Sequence, residues 1–168
     1  MDQTPSPLEL IKSKRKHIDR LANQRGAAGE ITALLNQGCW IARPRGKGLK
    51  ILLDALRDAG INISGSSFDA IHLPIAHSLD FTDASAVKNF LPEMVFIEIK
   101  TANQSRVKSD FSGFFFALTE REIIASEILG NRHKVALFNA KTSEIQITSV
   151  PEILARAKST NWQISIQL

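Results

Sequence analysis

The run Val95-Phe96-Ile97-Glu98-Ile99-Lys100 constrains this chain more than any other segment. In a strand, residues two apart point to the same face, so Glu98 and Lys100 emerge together while Ile97 and Ile99 pack on the other side. The run is otherwise apolar, which predicts a central strand. A carboxylate in such a strand costs several kcal/mol unless it is paired or coordinates a cation. Asp69 lies in a second strand-like segment, Phe68-Asp69-Ala70-Ile71-His72-Leu73. If the two strands are neighbours, two carboxylates and an ammonium converge on one small volume, a divalent-metal site with a lysine beside it. A Glu-x-Lys triplet alone carries no such weight, since an ion pair on an exposed strand face accounts for it. The apolar strand around it and the acidic strand before it are what favour the metal.

Composition narrows the class. The 168 residues are 43% apolar, enough for one domain of ordinary size. The net charge of +4 argues against an acidic, solvating chain and is compatible with an anionic partner. No apolar run approaches the roughly 18 residues of a membrane helix. Met1 to Pro5 lack the apolar stretch of a secretory signal. With Cys39 the single cysteine, an internal disulfide is impossible and a reducing, cytoplasmic location is expected.

The chain reads as one domain, residues 1–168, with N-terminal helices over 1–38 and an α/β core over 39–168. Ser6-Pro7-Leu8-Glu9 has the capping box and early proline of a helix start. The helical pattern runs from Leu8 to about Gln24, resumes at Glu30 and stops at Gly38. Residues 43–50, with Pro44, Gly46 and Gly48, predict a basic loop, and Leu49 to Ala59 a helix. A Pro/Ser/Asp-bearing stretch, 74–92, separates the two strands above. Gly113 to Leu118 reads as a short buried strand, and Thr119-Glu120-Arg121-Glu122 as a capping box opening a helix that ends at Gly130-Asn131. Strands follow at Lys134–Asn139 and Glu144–Val150, then a helix at Pro151–Lys158 and a strand at Trp162–Leu168. The order of elements predicts a mixed α/β domain.

Asp69 followed, after 28 residues, by Glu98-Ile99-Lys100 resembles the D…(D/E)-x-K signature of the PD-(D/E)XK nuclease superfamily. Gly26-Ala27-Ala28-Gly29-Glu30 resembles the Gly-x-x-x-Glu that often precedes its core strands. The Phe114-Phe115-Phe116 run, the helix from Thr119 and the strand Lys134–Asn139 are similar to the NO VEIN C-terminal nuclease-like domain, a branch of that superfamily. The likeness spans about Gly26 to Asn139, and Phe68 stands where the superfamily's name has Pro. It implies a restriction-endonuclease-like core, a mixed central β-sheet flanked by helices. It also implies Mg2+-dependent phosphodiester hydrolysis, with Mn2+ as a substitute ion. Asp69, Glu98 and the Ile99 carbonyl would hold the metal, Lys100 would orient or help deprotonate the attacking water, and Glu30 would assist through water or a second ion. Asp80 and Asp83 are rival ligands whose flanks do not read as strands.

Two basic groups suit a DNA backbone: Arg43, Arg45, Lys47 and Lys50 in the loop, and Arg106 with Lys108 in the connector. Asn103 and Gln104 have amides suited to base edges. Lys12, Lys14, Arg15, Lys16 and Arg20 read as a solvated helix face. The loop lacks the Gly-x-x-x-x-Gly-Lys-Ser/Thr of a nucleotide-binding loop, so no nucleotide cofactor is expected. His17 and His133 read as surface residues, Cys39 as a core thiol and the phenylalanines as core. The expected protein is therefore a small Mg2+-dependent endonuclease acting on double-stranded DNA, a type II restriction enzyme working as a homodimer. The alternatives are a catalytically silent module of the same fold that binds DNA or protein, and a repair or recombination nuclease subunit.

Overall fold

The computed structural model describes residues 38–74, 79–102 and 107–158. The expected N-terminal helices, the last strand, Glu30, Asn103, Gln104 and Arg106 lie outside these residues. The described elements are β1 (Trp40–Ala42), α1 (Gly46–Asp58), β2 (Ala70–His72), α2 (Ala84–Phe90), β3 (Val95–Ala102), α3 (Glu120–Leu129), β4 (His133–Asn139), β5 (Glu144–Thr148) and α4 (Val150–Arg156). Short 3-10 turns, Leu91–Glu93 and Gly130–Arg132, lead into β3 and β4.

The five strands form one mixed sheet in the order β1-β2-β3-β4-β5. β3 and β4 are parallel, and every other pair is antiparallel. A parallel pair needs a crossover, and α3 provides it. β3 is central, as its apolar content predicts, and is the longest described strand. Its register sets Ile97 opposite Ala70 on β2 and Glu98 opposite Val135 on β4.

Alternation divides the packing. Ile97 and Ile99 join Ala70, Ala136 and Phe138 in a buried layer on one face. Phe96 points to the other face and meets Ile71, Phe68, Leu52 and Leu56 of α1, Val87 of α2, and Ala125 and Leu129 of α3. Phe68 and Phe96 meet edge to face at 5.0 Å between ring centres, an arrangement that adds about 0.5–1.5 kcal/mol beyond area burial. Further along the same face, Val135 and Leu137 pack with Val107, Phe111 and Val150.

Several expectations are corrected. The segment 43–50 is not all loop, because α1 begins at Gly46, where the backbone turns in with φ +55°. Gly48, a helix-weakening residue in isolation, sits where the helix lies closest to Phe81; an added Cβ would stand 3.1 Å from the Phe81 Cβ. Close approach thus overrides propensity. Residues 74–92 are not without regular structure: Asp83 caps α2, accepting from the Ser85 and Ala86 main-chain N–H groups. Gly113–Leu118 forms no strand; Phe114 and Phe116 pack inward beside Phe111 while Phe115 is 74% exposed. Burial there comes from rings rather than a ladder. β5 stops at Thr148 because Ser149 and Glu152 form a capping box that starts α4. Cys39 is exposed, and His133 is buried, its Nε2 3.3 Å from the Ser67 carbonyl oxygen.

Candidate metal centre and active site

The site forms where the chain enters β2 alongside β3. Asp69 precedes β2, its main-chain N–H donating to the Ile97 carbonyl at 2.8 Å. Its carboxylate Oδ2 accepts from the Ile99 N–H at 2.9 Å. A strand residue sends its N–H and C=O to the same neighbour, so the Ile99 carbonyl also lies on the edge where Asp69 sits. One residue before and one after, Glu98 and Lys100 project together, and Lys100 Nζ is 2.9 Å from Glu98 Oε1. The sequence-derived trio of Asp69, Glu98 and Lys100, with the Ile99 backbone, is therefore gathered at one place.

A further carboxylate meets it. Glu122, in the first turn of α3, accepts from Lys100 Nζ at 2.9 Å through Oε2. The same oxygen accepts the Thr119 N–H at 2.9 Å, closing the capping box, while Thr119 Oγ1 accepts from the Glu122 N–H. The sequence shows the cap. It carries no sign that Lys100 would lie against it, because that contact depends on how α3 crosses the sheet.

Burial dominates the electrostatics. Removal from water pushes the Glu98 carboxyl up to about 9, and the nearby Asp69 carboxylate adds to the rise, against the opposing pull of Lys100. Burial alone would lower the Lys100 ammonium; Glu98 and Glu122 more than offset it, so its pKa is raised. His133, close enough to sense both Glu122 and Lys100, is lowered chiefly by burial, against a hydrogen bond to the Ser67 carbonyl that raises it.

These residues fit a hard divalent cation. Two carboxylates share a site whose one nearby ammonium is divided between Glu98 and Glu122, and burial leaves Glu98 short of compensating charge. Among the described residues no three His, Cys, Asp or Glu side chains form a ready ligand cluster. A cation here would therefore take Asp69, Glu98, the Ile99 carbonyl and water, a set that suits Mg2+, which keeps several waters and is commonly held by one or two carboxylates. The rivals are engaged elsewhere: Asp80 accepts from the Thr82 N–H and hydroxyl at 2.8 and 2.7 Å, and Asp83 caps α2, both exposed.

The expected DNA contacts separate. Arg43 is tied inward, donating through Nη1 to the Gly65 and Phe68 carbonyls at 3.0 and 2.9 Å, and so braces the loop that leads into Asp69. Arg45 is exposed before α1, Lys47 and Lys50 are exposed on it, and Lys50 lies 3.7 Å from Asp54. Lys108 is exposed after β3. An open cleft of about 610 Å³ runs between the start of α1 and Ser64–Ser66, the loop that continues to Asp69. Arg121 of α3 donates to Ser66 Oγ at 3.1 Å.

No protein-family model, curated protein or solved structure matches the chain. Among the described residues, no helix is long and apolar enough to cross a membrane.

Proposed function

We propose that this protein is a Mg2+-dependent endonuclease that hydrolyses phosphodiester bonds of double-stranded DNA on a restriction-endonuclease-like core. The observation that carries the reading is the convergence of Asp69, Glu98 and Lys100 at the junction of β2 and β3, with the Asp69 carboxylate on the Ile99 N–H and the Glu98 carboxylate on Lys100. When bound, Mg2+ would lower the pKa of a water and offset charge developing on phosphorus. Asp69 and Glu98 would hold the ion, and through it the reacting phosphate would be placed. Lys100 presents an ammonium to the attacking water or to a phosphate oxygen. Arg45, Lys47 and Lys50 are exposed at the start of α1 and Lys108 after β3, and in this reading they contact the phosphate backbone. A chain of this size cuts both strands most simply as a homodimer, and restriction of foreign DNA in the cytoplasm is the biology that fits best.

Plasmid cleavage by purified protein, with Mg2+ or with EDTA, on methylated and unmethylated DNA, tests the reading. Metal-dependent discrete fragments support it. Their absence, with salt-sensitive DNA binding retained, supports a second reading, a silent binding module. In that alternative the pairing of Lys100 with two carboxylates is a purely structural ion triad.

A further inference from the structure

Glu122 lies outside the acid–acid–lysine set, yet it is buried and in direct contact with it. Its Oε2 accepts two donors at once: the Lys100 ammonium, and the Thr119 N–H at the start of α3. The next residue back, Arg121, reaches Ser66 in the loop before Asp69. The first turn of α3 therefore touches both segments that carry the candidate site, β3 through Glu122 and the loop entering β2 through Arg121. A lysine has four rotatable side-chain carbons, and its ammonium takes up a defined position only where acceptors fix it. Glu98 is one such acceptor, but it is also a proposed ligand for the cation. With Glu98 drawn to the ion, Glu122 is the carboxylate left to hold Lys100.

We infer that Glu122 is a positioning residue, holding the Lys100 ammonium in place for phosphodiester hydrolysis while its backbone and carboxylate cap α3. This rests on the nuclease reading above. Two roles in one side chain are separable, because glutamine also serves at the third position of a capping box. Glu122→Gln keeps the cap and removes the charge that holds Lys100.

The experiment compares the wild-type chain with Glu122→Gln in three measurements: thermal melting, single-turnover plasmid cleavage in Mg2+, and acetylation of Lys100 by acetic anhydride, followed by peptide mass spectrometry. The expected result is an unchanged melting temperature, a cleavage rate reduced by about 10–100-fold and faster acetylation of Lys100. Wild-type cleavage by Glu122→Gln overturns the inference, and so does unchanged acetylation. Should melting fall as well, Thr119→Ala, which weakens the same cap but leaves the carboxylate, serves as the control. Equal slowing of cleavage in both variants then makes Glu122 a cap and nothing more. A wild-type protein that does not cut at all defeats the nuclease reading instead, and acetylation still decides whether Glu122 holds the amine.

Discussion

The Asp69 carboxylate accepts the Ile99 main-chain N–H at 2.9 Å, occupying a place in the sheet where the backbone ladder of β2 has not yet begun. A side chain that completes a ladder is held far more tightly than one projecting into solvent. One oxygen of Asp69 is thus fixed against β3, close enough for its charge to act on Glu98.

Asp69 and Glu98 should therefore differ in what their loss does to the fold. Asp69→Ala removes a charge-assisted hydrogen bond and is expected to cost about 1.5–3 kcal/mol. Asp69→Asn keeps an acceptor for Ile99 and should melt near the wild type. Both, like Glu98→Ala, should reduce Mg2+-dependent plasmid cleavage to background. Melting curves and the plasmid assay check this, and wild-type cutting by any of the three would remove that residue from the site.

The buried Glu98 carries a pH signature. Its carboxyl, ordinarily near 4.5, is pushed up to about 9 in the fold by burial and by Asp69. Between those values the folded protein holds a proton that the unfolded chain has released, so stability is highest below the unfolded pKa and falls as pH rises towards 9. His133 acts in the opposite sense, its depressed pKa lowering stability only as pH drops below its ordinary 6.5. From pH 6.5 to 9, then, Glu98 acts alone of the two. Without metal, the melting temperature should decline across this range, and Glu98→Gln should flatten the decline. Added Mg2+ should raise it at the alkaline end in the wild type and not in Glu98→Gln. Scanning calorimetry at several pH values reads all three, and a metal-free melting temperature that climbs from pH 6.5 to 9 would count against the assignment.

Arg43 separates bracing from DNA contact. Its guanidinium bonds two main-chain carbonyls of the loop before Asp69. Arg43→Ala should destabilise by about 1.5–3 kcal/mol and slow cleavage, while leaving the salt dependence of DNA binding unchanged. Arg43→Lys should rescue little, since an ammonium does not reproduce the planar fork. A lowered salt slope with normal stability would return Arg43 to the DNA interface.

Gly48 is the tightest point between α1 and the rest of the fold among the described glycines. Gly48→Val places side-chain carbons where Phe81 already stands, and overpacking of this kind costs about 1–3 kcal/mol. Denaturant unfolding should show that loss with little change in slope.

The central strand was legible from sequence because an apolar run with alternating charge has few other solutions, and β4, α3 and the helix after Ser149 followed from equally local signals. The proximity of Asp69, Glu98 and Lys100 was legible for the same reason: an acid at the entry to one strand meets an acid and a lysine on the next once the strands pair. The start of α1 was not, because Pro44, Gly46 and Gly48 argue locally against a helix that tertiary packing requires. The burial of His133 was not legible, because nothing local tells of the Ser67 carbonyl it meets across the fold. Glu122 and Arg43 were placed but not understood, since each acts on a partner more than 20 positions away.

The parallel pairing of β3 with β4 also sets an order of events on the ribosome. β1, β2 and β3, with Asp69, Glu98 and Lys100, are synthesised before α3 and β4. Until those later elements are in place, β3 lacks its parallel neighbour and Lys100 lacks one of its two carboxylates. Only when the crossover helix and β4 arrive does the pocket dry out and Lys100 gain Glu122. The last core strands to be synthesised thus complete a centre whose acidic half was made first, and a chain stalled before Glu122 would carry the acids of the site without the environment that gives them their chemistry.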